Sequence, residues 1–141
     1  MGDPLRLPDM PKAVDRAYRA LLSGESISVY GDFDADGITA TAALVQGLIL
    51  LGGKATPYIP HRQMEGHGLT TPALKRLHVQ GISLVITVDC GVTDMAEVKS
   101  AMQMGLDIVI TDHHSPLDEI PEAIAVINPK LAGTTYPFTS C

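Results

Sequence analysis

The sequence contains no tryptophan, and aromatic residues make up only 4% of its 141 residues. Hydrophobic residues nevertheless account for 45%, so the core must consist mainly of small and β-branched aliphatic side chains. Such cores are typical of parallel β-sheets that are buried on both faces. The length suits one domain with a substantial core, and we expect residues 1–141 to form a single domain.

Cysteines and long apolar runs are also scarce. Cys90 and Cys141 provide no disulfide framework and fit a reducing compartment, with Cys90 as a small buried side chain. The longest apolar stretch, ITATAALVQGLILLGG, is too short and too polar for a membrane span. The first residues, MGDPLRLPDMPK, lack the basic and apolar regions of a signal peptide. We therefore expect a cytoplasmic protein with no membrane contact.

Basic residues are outnumbered by acidic ones, 10 to 16, which gives a formal net charge of −6. This balance argues against a nucleic-acid clamp of the usual basic kind. Carboxylates that bind divalent cations would invert the local field, however. The net charge therefore does not decide whether nucleic acid is a partner.

Apolar residues alternate between the period of a strand and that of a helix. Five short segments have strand patterns: ISVY, ATPYIP, LVITV, DIVIT and IAVI. Pro57 places the second of these near a sheet edge, because proline lacks a backbone donor. Helical patterns precede the first strand and separate the first four; they include residues 38–51 and 94–104, where Asp94 and Glu97 resemble a capping pair. The order predicts an α/β fold, with a parallel sheet of about five strands and helices on both faces.

The segment GDFDADG carries aspartates at alternate positions, Asp32, Asp34 and Asp36. Carboxylates held close together repel one another unless a cation lies among them. The spacing resembles the start of an EF-hand calcium loop, but the twelfth position, which needs a glutamate, is Ala43. A strand pattern also precedes the segment where an EF-hand would have a helix. A metal site at a strand-to-helix turn fits better than an EF-hand or a solvated acidic loop.

Acids and histidines also follow two later strands. Asp89 ends LVITVD, and the DHH segment, Asp112, His113 and His114, follows DIVIT. Because the carboxyl ends of parallel strands meet at one edge of a sheet, we expect these side chains to converge there with the earlier aspartates. Oxygen and imidazole ligands without thiolates suit Mn²⁺ or Mg²⁺, with Zn²⁺ as a further option. The acids exceed the needs of one cation, and a pair of cations about 3.5–4 Å apart would suit phosphoester hydrolysis.

Simpler interpretations exist for part of this set. The histidines of DHH could be structural, and its aspartate could only orient one of them. In YIPHRQMEGHGL, Gly66 and Gly68 allow the backbone to approach a ligand, and Arg62 could bind a phosphate. A glycine-rich turn with a surface arginine explains that segment equally well, and the roles of His61 and His67 stay open.

Four motifs, in their order along the chain, resemble those of the DHH phosphoesterase superfamily: VYGDFDADGITATA, YIPHRQMEGHGL, VDCGVT and IVITDHH. The most similar branch is RecJ, the single-strand-specific 5′→3′ DNA exonucleases, which the flanking segments DPLRLPDMPKAVDRA and VINPKLAGTTYPF also resemble. The resemblance covers nearly the whole chain. It implies two-metal phosphodiester hydrolysis in DNA repair and recombination. The implied partners are single-stranded DNA and two divalent ions, Mn²⁺ in preference to Mg²⁺.

The resemblance also implies roles for individual residues. The implied metal ligands are Asp34, Asp36, His113 and Asp89, the last bridging the two metals. The implied catalytic residues are Asp32 beside the metals, Asp112 supporting the histidines and His114 facing the scissile phosphate. The implied substrate-binding residues are Arg62, Gly66, His67 and Gly68.

The family's fourth acidic motif and its C-terminal substrate-binding domain have no counterpart in this sequence. We therefore expect a fragment of a longer enzyme. Without the last aspartate the second metal lacks a ligand, and without the second domain the nucleic-acid groove lacks a wall. The expected exonuclease activity of these residues alone is weak or absent.

Two other functions stay open on the sequence. A DHH-type phosphodiesterase could apply the same chemistry to oligonucleotides or cyclic dinucleotides. A receiver-like signalling module would also be a parallel sheet with acids at its strand ends and a bound Mg²⁺. In that module, however, two histidines directly after the acid have no role.

Overall fold

A computed structural model describes residues 2–61 and 66–139 of the chain. A 3₁₀ turn at Pro4–Arg6 precedes the alternating helices and strands. The helices are α1 (Met10–Ser23), α2 (Ala35–Leu50), α3 (Thr71–Val79) and α4 (Met95–Gln103). The strands are β1 (Ser26–Gly31), β2 (Lys54–Tyr58), β3 (Ile82–Val88), β4 (Asp107–Thr111) and β5 (Ala125–Ile127).

The five strands form one parallel sheet in the order β2-β1-β3-β4-β5. This confirms the predicted α/β fold, and Pro57 does lie in an edge strand. The chain adds β2 on one side of β1 and β3 on the other, so the strand order reverses between β1 and β3. In open parallel sheets, ligands bind outside the carboxyl ends of the strands at such a reversal. The residues that follow β1 and β3 therefore lie where a ligand site is expected.

Helices cover both faces of the sheet, mostly with small aliphatic side chains. On one face, α1 and α2 contribute Ala13, Ala20 and Leu48 to the core. On the other face, α3 and α4 contribute Leu74 and Val98. Within residues 2–61 and 66–139, no helix combines the length and the apolar character that crossing a bilayer requires.

A partly buried ion-pair network joins α1 to the sheet. The guanidinium of Arg16, whose side chain is 9% exposed, donates to Glu25 and to Asp107, each at 2.7 Å. The hydroxyl of Ser83 donates to the same oxygen of Glu25. The hydrogen bond from Arg16, and after it the one from Ser83, lowers the pKa of Glu25 below its ordinary value of 4.5.

Because the pKa of Glu25 is lowered in the folded state, its contribution to stability is present above about pH 4.5 and is lost as the pH falls through the lowered value. We expect Glu25→Gln to decrease the free energy of unfolding by about 2 kcal/mol at neutral pH and by much less at about pH 3. Urea denaturation at the two pH values measures both effects. As a matched control, Asp15→Asn removes an exposed pair with Arg19 and should cost less than about 0.5 kcal/mol. Equal losses for Glu25→Gln at both pH values would contradict the prediction.

Candidate metal centre

The carboxyl ends of β3 and β4 bring three ligand-type side chains together. Asp89 directly follows β3, and His113 and His114 follow β4. Nε2 of His113 lies 2.7 Å from Oδ1 of Asp89. Each of the three residues offers one ligand atom, and these atoms all lie within 4.8 Å of one another. Carboxylate and imidazole atoms at such separations can share one divalent cation.

Asp89 is held in an unusual conformation and environment. Its φ of 62° is in the left-handed region, which costs most residues about 1–2 kcal/mol, although Asp and Asn tolerate it better. Burial raises the pKa of its carboxyl group, although the charge of the neighbouring His113 acts to lower it. Oδ1 is buried, and within the described residues no donor is aligned to hydrogen-bond it, despite the short contact with His113. A buried carboxylate oxygen in this state suits a bound cation.

Asp112 organises the turn that carries the two histidines. Its Oδ1 accepts hydrogen bonds from the backbone N–H groups of His113 and His114, at 2.7 and 3.0 Å, and from Nδ1 of His114 at 2.7 Å. Its Oδ2 accepts from the backbone N–H of Val92, 3.0 Å away in the loop after β3. Because an ionised carboxylate can only accept, Nδ1 of His114 carries a proton and Nε2 is left for a ligand. The hydrogen bond to Asp112 raises the pKa of His114.

The three aspartates after β1 take different positions in the turn into α2. Asp32 is buried and accepts a hydrogen bond from the backbone N–H of Phe33. Asp34 is the N-cap of α2, and its Oδ1 accepts from the backbone N–H of Gly37 at 2.8 Å. Asp36 is exposed in the first helical turn. The turn is so tight that a Cβ at position 37 would lie 2.4 Å from the backbone oxygen of Asp32.

Two cavities link this turn to the ends of β3 and β4. The larger, of about 490 Å³, is lined by Asp36, Asp89 and His113 together with apolar side chains of α2 and β5. The smaller, of about 190 Å³, is lined by Asp32, Asp89 and His114. Among the described residues, the three aspartates after β1 lie outside the group whose ligand atoms are within 4.8 Å of one another. The structure thus places Asp32, Asp36, Asp89 and Asp112 on the walls of these two cavities, whereas Asp34 lines neither. It brings possible ligand atoms of Asp89 and the two histidines within 4.8 Å of one another.

The segment 66–69 supplies a wall of the smaller cavity. Nδ1 of His67 lies 3.4 Å from Oδ2 of Asp32, and its ring packs 4.5 Å from the ring of Phe33. Both glycines of the segment adopt a φ of 75°, a conformation that favours glycine. Arg62 lies outside the described residues, so its contact with a phosphate stays a prediction.

Asn128 holds the histidine turn, although the sequence did not indicate it as a site residue. Its side chain is fully buried. Its Nδ2 donates to the backbone oxygen of His114 at 2.9 Å, and its Oδ1 accepts from the backbone N–H of Lys130 at 2.8 Å. An asparagine directly before a proline, here Pro129, is a turn signal, and it is the local feature from which this residue could have been found.

The prediction that Cys90 is a small buried side chain is confirmed. Cys90 is 6% exposed, and burial raises the pKa of its thiol, which is the opposite of what an activated nucleophile needs.

Comparisons with known proteins agree with the four motifs. The DHH family, N-terminal domain, matches residues 26–141. The single-stranded-DNA-specific exonuclease RecJ of Bacillus subtilis is 43% identical over 136 residues, which are 96% of this chain and 17% of that protein. RecJ of Escherichia coli is 40% identical over 136 residues, again 96% of this chain and 24% of that protein.

Solved structures show the same fold. A crystal structure of exonuclease RecJ bound to manganese matches with a TM-score of 0.85 and 38% identity, over 94% of this chain and 34% of that chain. RecJ from Thermus thermophilus in complex with Mn²⁺ matches with a TM-score of 0.74 and 36% identity, over 87% of this chain and 17% of that chain. The chain thus spans about a sixth to a third of the length of these relatives. Since the family match covers most of the sequence, including each of the four motifs, the chain belongs to the DHH family.

Proposed function

We propose that this chain carries the metal-dependent centre of a hydrolase that degrades single-stranded DNA in the 5′→3′ direction. The observation that carries the proposal is the group of Asp89, His113 and His114. In this group a buried carboxylate oxygen lies 2.7 Å from an imidazole nitrogen, and no donor in the described part of the chain is aligned with it. The similarity to RecJ structures that contain manganese supports Mn²⁺ as the cation, with Mg²⁺ as the alternative.

We assign two divalent cations to this centre. Asp34, Asp36, Asp89 and His113 would hold them, with Asp89 serving both. Asp34 uses Oδ1 to cap α2 and has a second carboxylate oxygen for a cation. Oxygen and imidazole donors are those that Mn²⁺ and Mg²⁺ sites use. Bound divalent cations supply Lewis-acid activation of water and offset the charge of the phosphate oxygens.

We assign His114 the role of contacting the phosphate. Asp112 holds Nδ1 at 2.7 Å, and the imidazole, whose side chain is 58% exposed, lines the smaller cavity. The bond to Asp112 raises the pKa of His114, and in the protonated form of this imidazole Nε2–H can donate to a phosphate oxygen. Asp112 thus orients this imidazole and stabilises its protonated form.

The relatives support the class of substrate. They are single-stranded-DNA-specific exonucleases, and the chain is 40–43% identical to them over 96% of its length. DNA repair and recombination are the proposed setting, and the cytoplasm is the proposed location. The centre would therefore release mononucleotides from a DNA end.

A segment exchange with the relative from Bacillus subtilis tests this function. Residues 26–139 replace the matching segment of that RecJ, and the chimera is assayed with Mn²⁺ on 5′-labelled single-stranded DNA, on duplex DNA and on dinucleotides. We expect mononucleotide release from the long single strand, little from the duplex, and none after Asp89→Ala. A chimera that folds and binds Mn²⁺ but leaves the strand intact would refute the proposal, and preferential cleavage of dinucleotides would favour a phosphodiesterase for short substrates. The 141-residue chain is assayed in parallel to test for weak or absent digestion by these residues alone.

A further inference from the structure

Asp94 is at the N-cap position of α4, yet its side chain makes no capping hydrogen bond. Its Oδ2 instead accepts from the backbone N–H of Leu69, at 2.7 Å and 25 residues away along the chain. Burial raises the pKa of this carboxyl group, because removing the charged form from water costs free energy. A capping hydrogen bond to α4 would offset part of that free energy, but Asp94 makes none. The contact with the segment 66–69 is therefore the main use of this carboxylate.

The backbone around Gly68 is shaped to receive that carboxylate. Gly68 has a φ of +75°, and a Cβ there would lie 2.6 Å from Oδ2 of Asp94. The hydroxyl of Tyr30 donates to the backbone oxygen of Gly68 at 3.1 Å. In the peptide that joins Gly68 to Leu69, the carbonyl oxygen is thus bonded to Tyr30 and the N–H to Asp94. The side chain of Leu69 is also buried in the core, at 4% exposure.

This double attachment determines where His67 lies. His67 directly precedes the fixed peptide and lines the smaller cavity with Asp32 and His114. Its side chain is 71% exposed, and its ring has only a 3.4 Å contact with Asp32 and the packing against Phe33 to hold it. The position of His67 relative to the metal centre is therefore set by the attachment of the next residue.

We propose that Asp94, together with the hydroxyl of Tyr30, is a positioning residue that holds the segment 66–69 against the metal centre and so sets the wall of the smaller cavity. The inference rests on the proposed function, because it assigns these two side chains to the substrate-facing side of that centre. Each side chain acts through the backbone of the segment and not as a metal ligand.

Nuclear magnetic resonance of the ¹⁵N-labelled chain, titrated with Mg²⁺, tests the role. In the parent chain, Mg²⁺ should shift the amide signals of His67 and of Val92, which is bonded to Asp112 beside the centre. In Asp94→Ala the shift of His67 should be lost and that of Val92 kept. Amide hydrogen exchange of Leu69 should become about tenfold faster in this variant, because its N–H loses a charged acceptor.

Three further variants sharpen the result. Asp94→Asn keeps an acceptor oxygen and should restore the His67 shift, and Tyr30→Phe should reduce it without unfolding the chain. Glu97→Gln, the matched control in the first turn of α4, should behave like the parent. An unchanged His67 shift and unchanged Leu69 exchange in Asp94→Ala would overturn the positioning role alone. A parent chain in which no amide responds to Mg²⁺ would overturn the metal centre, and the positioning role with it.

Discussion

Asp89→Asn is expected to abolish divalent-cation binding and at the same time to stabilise the metal-free chain. The carboxylate is buried at 8% exposure, its Oδ1 lacks an aligned donor among the described residues, and burial raises its pKa. Asparagine removes the buried charge, tolerates the φ of 62°, and can donate from its amide towards Nε2 of His113. The free energy of unfolding should therefore rise by about 1 kcal/mol. The affinity for Mn²⁺ should fall by at least about 100-fold, since even supporting residues of metal sites contribute about 10–100-fold.

Isothermal titration calorimetry with Mn²⁺ and urea denaturation in a chelator measure the two effects. The control is Asp118→Asn, which removes an exposed carboxylate from the loop after β4 and should change neither quantity appreciably. Mn²⁺ affinity that survives Asp89→Asn would contradict the assignment of this residue as the shared ligand. A less stable metal-free variant would instead show that the carboxylate is already satisfied by the protein.

The sheet and the location of the site follow from the sequence for a simple reason. Strands that are buried on both faces of a parallel sheet are rich in consecutive aliphatic residues, and β3 and β4 contain such runs at residues 84–86 and 108–110. Once all strands are parallel, every residue that follows a strand lies at the same edge. Asp89 and the DHH turn could therefore be placed together without knowing any crossing angle or loop path.

The start of α2 shows where apolar periodicity fails. The pattern predicts a helix from residue 38, whereas the helix begins at Ala35. The alternating aspartates have a loop-like composition, but Asp34 caps the helix and Asp36 lies in its first turn, where a negative charge complements the helix dipole. A boundary of this kind depends on one side-chain hydrogen bond rather than on the apolar pattern.

Hydrogen bonds between distant segments could not be predicted either. Asp94 has the sequence context of a capping residue, and only the folded chain shows its carboxylate turned towards Leu69. Asn128 bonds to the backbone of His114, 14 residues earlier, and no local pattern marks that pairing. Such contacts require that two loops meet, which depends on the lengths and directions of the elements between them.

Asp112→Ala should be the most destabilising single change at the site, with a loss of about 4 kcal/mol, and Asp112→Asn should cost about 2 kcal/mol. Four donors point at this carboxylate: three backbone N–H groups and one imidazole N–H. Alanine leaves all four without their acceptor. In asparagine the amide oxygen can replace Oδ1 and accept from the same three donors. The NH₂ group then takes the place of Oδ2, where it meets the N–H of Val92 and cannot accept from it. Urea denaturation without metal measures the two losses, and His114→Ala, which removes only the imidazole donor, is the control with an expected loss below about 1 kcal/mol.

Asp112 and Asp89 are therefore expected to respond to amide substitution with opposite signs: stability should fall for Asp112→Asn and rise for Asp89→Asn. Asp112 accepts four hydrogen bonds, so its charge is compensated by the protein before any cation binds. Oδ1 of Asp89 has no aligned donor in residues 2–61 and 66–139, so before a cation binds its charge is offset only by the nearby imidazole of His113, 2.7 Å away. Equal stability of Asp112→Asn and the parent chain would show that the turn does not depend on both carboxylate oxygens. If Asp89→Asn and Asp112→Asn both lower the free energy of unfolding, then Asp89, like Asp112, accepts hydrogen bonds from the protein and does not need a metal to offset its charge.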